Sequence, residues 1–249
     1  MLQLLDSADA TNSDIAFEIK CNIEPIVAAN MTRKGLHPRR SEVFYAHRAI
    51  LSARCPLLAA VAEGSDVDTP IHIESIDPEL FRILLRFIYG GEVPAKDSLR
   101  QKPLDIIRAA DQFDCNGLKL AAEAEFVADH PITTNNTAEV IMFADAMHCA
   151  LLKEAAFDYF AVNREAVQAS DGYNQIMESP KVLNELVTLG FANKKRPATA
   201  DINGRDFKRM RVATLRQKLD AKGLDVDGSK EMLISRLEES EKDEVIEID

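Results

Sequence analysis

A chain of 249 residues, 46% hydrophobic and 29% charged, has room for one or two domains with ordinary cores and excludes a disordered or fibrous protein. No apolar run reaches the roughly 18 to 20 residues of a membrane span, and MLQLLDSADATNSD lacks the basic start and apolar stretch of a signal peptide. The net charge of −11 argues against nucleic acid only until its distribution is read: Lys194 to Lys222 holds ten Lys or Arg against three Asp, and Glu238 to Asp249 holds seven acids against one Lys.

In chain order, Ile15, Phe17 and Ile19 alternate within DIAFEIK as a half-buried strand requires. Pro25, Gly35, Pro38 and the basic cluster Arg33, Lys34, Arg39 and Arg40 predict a strand or two and then a long exposed loop. Val43 to Ala46 returns as a strand expected to pair with the first. Arg48 to Glu63 has helical spacing, with Pro56 dividing it into two short helices. Ile71 to Ile73 reads as a strand. Asp77-Pro78-Glu79 then opens a helix whose apolar residues are Leu80, Phe81, Leu84, Leu85 and Ile88, and Gly90-Gly91 stops it.

From Pro103 the pattern is helical: Leu104 to Phe113, Leu118 to Ala128, Ala138 to Ala146, Leu151 to Val162, Asn174 to Ile176 and Val182 to Leu189. Their short links predict antiparallel packed neighbours, and Thr133 or Thr134 is the expected cap of the third helix. Ala192 to Arg205 has no apolar period and reads as a linker. Val212 to Lys222 and Lys230 to Glu239 then form two short helices joined by GLDVDGS. The expected class is α+β: an α/β domain, a helical extension and a small helix-extended-helix unit.

Little here suggests catalysis. Cys21, Cys55, Cys115 and Cys149 lie far apart in apolar or helical contexts, as buried free thiols do, and no histidine has metal-ligand spacing to them. His47, between a strand and a helix with no acid or nucleophile nearby, reads as a packed, hydrogen-bonded residue. No convergent acid, base and nucleophile set is present, so the expectation is a protein that is not an enzyme and needs no cofactor or metal.

Three stretches carry resemblances. FYAHRAILSAR, FRILLRFIYGG and AADQFDCNGLKLAAEAEF, in that order, resemble the BTB (POZ) domain over residues 13–129, with a longer first loop and Gly90 in place of the common Thr. That resemblance implies a homodimer, with Asp14 and Arg48 at the positions of a charged pair lining a dimer-side pocket; an ordinary structural salt bridge is the alternative. It also places Val61-Ala62-Glu63 where adaptors that recruit a cullin scaffold carry a hydrophobic-any-Glu motif. Val61 would then fill an apolar pocket and Glu63 orient the helix end, with Phe113 as a further contact unless it is core.

NNTAEVIMFADAMHCALLKEAAFDYFAVN, within residues 130–191, is similar to the BACK-like helical extension of speckle-type adaptors, which in that family enlarges the cullin-binding groove; a bundle that only stabilises the first domain is the alternative. MRVATLRQKLDAKGLDVDGSKEMLISRLEES, within 208–240, resembles the SAP motif, a helix-extended-helix unit that binds double-stranded, AT-rich DNA. Arg209, Arg211, Arg216, Lys218, Lys222, Ser229 and Lys230 are its expected backbone contacts, the last two beside the amides that open the second helix. A charged hairpin that meets protein or RNA is the alternative.

Two signals complete the chain. Lys194-Lys195-Arg196 and Lys208-Arg209-Met210-Arg211, across the basic linker 192–207, look like a bipartite nuclear import signal read by an importin. In the acidic tail 241–249, Val245, Ile246 and Ile248 flanked by acids resemble a SUMO-interacting motif, with a plain solvated tail as the alternative. No recognition domain precedes the first module, so cargo is expected to be met elsewhere, by the last one. The sequence therefore predicts a nuclear BTB adaptor, a cullin-RING substrate receptor that holds DNA. A dimeric chromatin or transcription regulator without a ligase role is the other reading.

Overall fold

The computed structural model describes residues 2–20, 41–91, 93, 102–192 and 207–246. The basic loop before the second strand, Cys21, most of the linker with Lys194, Lys195 and Arg196, and Ile248 lie outside the described residues. The chain divides into two compact units, Met1–Ala122 and Glu123–Asp249.

In the first unit, strands β1 (Ile15–Lys20), β2 (Ser41–Ala46) and β3 (Ile71–Ile73) form one sheet in the order β2-β1-β3. β2 runs antiparallel to β1, with Ile15 opposite Ala46, as expected; β3 is parallel, with Phe17 opposite Ile71. The central place of β1 buries Ala16 as well as Ile15, Phe17 and Ile19, so this strand is more covered than its alternation predicted. A short helix α1 (Leu2–Asp6), too brief to leave a periodic signal, precedes the sheet.

Helices α2 (Arg48–Arg54) and α3 (Pro56–Val61) follow β2, and Pro56 starts α3 because its ring is tolerated in a first turn. Helix α4 (Pro78–Gly90) begins and ends as its sequence dictates. Asp77 Oδ1 accepts the Leu80 N–H at 2.9 Å, and Gly91 takes φ +67°, donating its N–H to Phe87 O at 2.7 Å. Its buried face sets Phe81 against Phe17 and Phe44, ring centroids 5.3 and 5.2 Å apart. At Gly90 a Cβ would come 3.1 Å from the Leu2 side chain of α1, a tight contact that Leu2 would have to yield to by a few tenths of an ångström. Helix α5 (Pro103–Gln112) completes the apolar layer with Ile106, Ile107 and Ala110.

His47 is a packed residue, as its position predicts. Tyr89 Oη lies 2.8 Å from both the His47 backbone N–H, which donates to it, and His47 Nδ1. Burial pushes the Tyr89 phenol up to about 12, so it stays protonated through the neutral range. Tyr89→Phe is expected to lower stability by about 1 to 2 kcal/mol, because the part-buried His47 N–H loses its acceptor. A denaturant midpoint equal to the wild type's would mean that N–H is satisfied by something else. Cys55, Cys115 and Cys149 are free and buried.

The division between the units falls inside helix α6 (Asn116–Asp129). The second unit continues with α7 (Thr137–Ala146), α8 (Ala150–Val162), α9 (Arg164–Gln168), α10 (Tyr173–Met177) and α11 (Pro180–Ala192). Neither Thr133 nor Thr134 caps α7. Asn136 occupies the N-cap position; its Oδ1 accepts the Thr133 N–H at 2.7 Å, and Thr137 Oγ1 donates to Thr133 O, so the preceding turn closes on itself.

One charge network ties three of these helices. Lys153 Nζ sits 2.6 Å from both Asp145 of α7 and Glu185 of α11, and Lys181 reaches Asp145 at 2.7 Å. Burial pushes the Asp145 carboxyl up, but the hydrogen bonds from the two lysines outweigh it and hold that group below its usual range. A 3₁₀ turn (Phe207–Arg209), α12 (Val212–Ala221) and α13 (Lys230–Ile246) end the described chain.

Candidate functional site

The first candidate surface is the end of α3. Leu58 and Ala62 are buried and fix the helix against the unit, which turns Leu57 and Val61, four residues apart, outward together. They are 49% and 52% exposed, a two-residue apolar ridge with exposed Glu63 just beyond it. Gly64 closes the corner at φ +79°, a conformation that favours glycine.

Arg48 fastens this corner. Its Nη1 donates to Ala62 O at 3.0 Å and its Nη2 to Ser65 O at 2.6 Å. A cation is well placed there, since the last carbonyls of a helix carry partial negative charge. Asp14 does something different: its Oδ1 accepts the Arg48 backbone N–H at 2.7 Å. His47, the N-cap of α2, makes no side-chain cap, so Asp14 supplies that acceptor from the end of the neighbouring strand. The sequence expectation of an Asp14–Arg48 charged pair is thereby corrected. The two residues meet, but through backbone, and the guanidinium serves α3.

Phe113 is also corrected as a contact residue. It is 3% exposed, and its carbonyl accepts from Cys55 Sγ at 3.3 Å and from Cys115 Sγ at 3.7 Å. Its ring belongs to the core. Leu57, which the motif reading passed over, is the exposed neighbour of Val61 instead; its spacing four residues before Val61 was the available signal.

The second candidate surface is the C-terminal module. Phe207, Met210, Val212, Leu215, Leu219, Leu233 and Leu237 form its small core, and Ala150 and Leu151 of α8 extend that core. Gly228 has φ +117°, the backbone freedom expected where α13 begins, and Ser229 Oγ accepts the Met232 N–H at 3.4 Å. Arg236 holds the connecting loop through Asp225 Oδ2 at 2.8 Å and Asp225 O at 3.1 Å.

The seven expected phosphate contacts divide into three groups. Lys218 is half-buried and Arg209 and Lys222 are exposed, with Lys222 Nζ 3.2 Å from Ser240 Oγ. Ser229 caps its own helix. The other three face acids of the same unit. Arg216 Nη2 lies 2.7 Å from Glu123 Oε2 and its Nε donates to Val226 O at 3.1 Å; with side chains 15% and 1% exposed, that ion pair is internal. Arg211 meets Asp158 closely and Glu154 at 3.5 Å, and the hydrogen bond to Asp158 raises its already high pKa further. Lys230 lies 3.4 Å from Glu154 Oε1. Glu154 Oε2 also accepts the Val212 N–H at 3.2 Å, and so caps α12 from α8.

In the second basic cluster of the import motif, Lys208, Arg209 and Arg211 are all exposed, and Arg211 meets the acids just named. Of the SUMO-type motif, Ile248 lies outside the described residues. The backbone of Val245 and Ile246 is helical, the last turn of α13, whereas strand addition needs an extended segment. The helix-favouring run of Glu and Lys before them carries α13 past the expected Glu239 end. Among the described residues no cluster of His, Cys, Asp or Glu could hold a metal, and no helix is long and apolar enough to cross a membrane.

Comparison with known proteins completes the picture. The family model of the BTB/POZ domain matches residues 37–130, that of the BPM/SPOP BACK domain residues 136–187, and that of the SAP domain residues 206–242. Among curated proteins, TD and POZ domain-containing protein 5 of Mus musculus is 30% identical over 139 residues, 55% of this chain and 40% of that protein. TD and POZ domain-containing protein 1-like of Mus musculus is likewise 30% identical over 139 residues, 37% of its own length. The chain thus spans about two fifths of the length of these relatives.

Proposed function

We propose that this chain, which joins a BTB/POZ domain, a BACK domain and a SAP domain, is a non-enzymatic nuclear adaptor. It homodimerises through the BTB unit, presents a cullin scaffold with the end of α3, and holds double-stranded DNA, preferring AT-rich sequence, with the SAP module. In this role it is a substrate receptor that brings a cullin-RING ubiquitin ligase to chromatin, and the basic segment around the linker engages an importin.

One observation carries the ligase half. Leu57 and Val61 stand outward on a helix whose end is fastened by Arg48, with Glu63 exposed beside them. An apolar pair held in place loses little conformational freedom on binding, which favours affinity from a small contact. The DNA half is supported by the SAP match and by the exposed or half-buried cations Arg209, Lys218 and Lys222.

The test is a calorimetric titration of the purified chain with a cullin N-terminal domain, beside a titration with duplex DNA at two salt concentrations. Saturable binding to the cullin and salt-sensitive binding to DNA are the expected results. Absence of cullin binding removes the ligase role and leaves a dimeric chromatin regulator. Absence of salt-sensitive DNA binding removes the chromatin role.

A further inference from the structure

We propose that the BACK segment masks the DNA-binding cations of its own SAP module: Glu154 and Asp158 of α8 occupy Arg211 and Lys230, and phosphates must displace these acids to bind. The inference rests on the DNA-binding reading above. It deepens that reading by making α8 an internal competitor for the same surface.

The geometry separates an anchor from a rim. The anchor is the pairing of Arg216 with internal Glu123 and the packing of Ala150 and Leu151 into the module's core. Breaking it would expose apolar surface and leave a buried carboxylate without its cation, so the module stays seated. The rim is different. Arg211 and Asp158 are 56% and 39% exposed; Lys230 and Glu154 are more covered, at 22% and 10%, but a cleft of about 610 Å³, lined by Lys208 and Lys230 and by the acids Glu154, Glu185, Glu231 and Glu238, opens beside them. Arg211 is therefore open to phosphate directly and Lys230 through the cleft, neither needing the core to repack.

At such a rim each cation exchanges one anion for another. A carboxylate paired to Arg211 or Lys230 removes one counterion-releasing contact from the DNA interface, and it also places a negative charge next to the incoming phosphate. Both effects weaken DNA binding, and both are screened as salt rises. Glu154 is the central residue, since it meets Arg211, Lys230 and the Val212 N–H together.

The test compares the full-length wild type with Glu154→Gln/Asp158→Asn in binding to an AT-rich duplex across a salt series. The amides keep the shape, and the side-chain carbonyl introduced by Glu154→Gln can still accept the Val212 N–H, while both charges go. Tighter binding by about tenfold at low salt is expected, within the ordinary range of coupled sites. A steeper salt slope, by about 1.8 for two more phosphate contacts, should accompany it. Glu165→Gln/Glu178→Gln makes the same change of net charge on exposed acids of the same unit and should leave affinity near the wild type's. Asp158→Asn alone, at an exposed position, should give an intermediate gain and covers the case of a poorly folded double variant. If the wild type binds and Glu154→Gln/Asp158→Asn binds no tighter than the control, masking is overturned while the DNA reading stands. If no variant binds duplex at low salt, the DNA reading falls and the masking falls with it.

Discussion

Arg216→Met is expected to lower the stability of the second unit by about 3 kcal/mol, the lower end of the cost of breaking a buried ion pair. For a unit of this size that is a fall of about 10 °C in thermal midpoint. The cause is Glu123, 1% exposed, whose carboxylate would lose its guanidinium partner and keep the Leu152 N–H, 3.0 Å away. Glu123→Gln added to Arg216→Met should recover most of the loss, because the amide keeps the Leu152 hydrogen bond and removes the stranded charge. Glu123→Gln alone should cost less than Arg216→Met, since the guanidinium it leaves is nearer solvent and keeps Val226 O. Calorimetric unfolding of the four proteins completes the cycle. Equal melting of wild type and Arg216→Met would mean that Glu123 finds another partner, and the internal pair would lose its role. Arg216 is therefore a poor probe of DNA binding, as its replacement disturbs the module before any phosphate is met.

What the sequence disclosed was local. Asp77-Pro78-Glu79 and Gly90-Gly91 delimit α4 because cap, proline and left-handed glycine act within a few residues. Pro56 splits α2 from α3 for the same kind of reason. The alternation in β1 is legible too, but not the burial of Ala16 on its other face, which depends on what tertiary structure brings against a central strand. Helix α1 left no mark, since five residues give no period.

Charged side chains take their partners from tertiary structure rather than from local pattern. Asp14 and Arg48 were placed in one neighbourhood by resemblance, and they do meet there. Yet a guanidinium on a long stem reaches whichever carbonyls tertiary structure presents, and here these were Ala62 O and Ser65 O. Glu154 and Asp158, four residues apart, look like the solvated face of a helix when read alone. Their importance comes from a module some sixty residues later in the chain, and no local pattern can announce it. Arg216 shows the converse: a cation in a basic run reads as a DNA contact, until an internal carboxylate claims it.

Val61→Asp is expected to weaken cullin binding by at least about 100-fold, and it is the sharpest test of the corner at the end of α3. A half-exposed valine filling an apolar pocket contributes about 1.5 kcal/mol of burial, and forcing an aspartate into that pocket adds a desolvation cost of several kcal/mol. Even about 3 kcal/mol in total corresponds to roughly 100-fold in affinity. The fold should be unaffected, because Val61 is 52% exposed and no hydrogen bond of the corner uses its side chain. Leu57→Asp on the same ridge should act in the same direction. Arg48→Met separates positioning from contact: it leaves the ridge chemically intact but releases Ala62 O and Ser65 O, so the end of α3 is held less firmly. Its expected effect is a smaller loss of affinity, about tenfold, together with a loss of stability of about 2 kcal/mol for two charge-assisted hydrogen bonds at a partly buried site. If Val61→Asp binds cullin as well as the wild type, the α3 ridge is not the contact. If Arg48→Met loses stability without losing affinity, the ridge binds without needing its fastening.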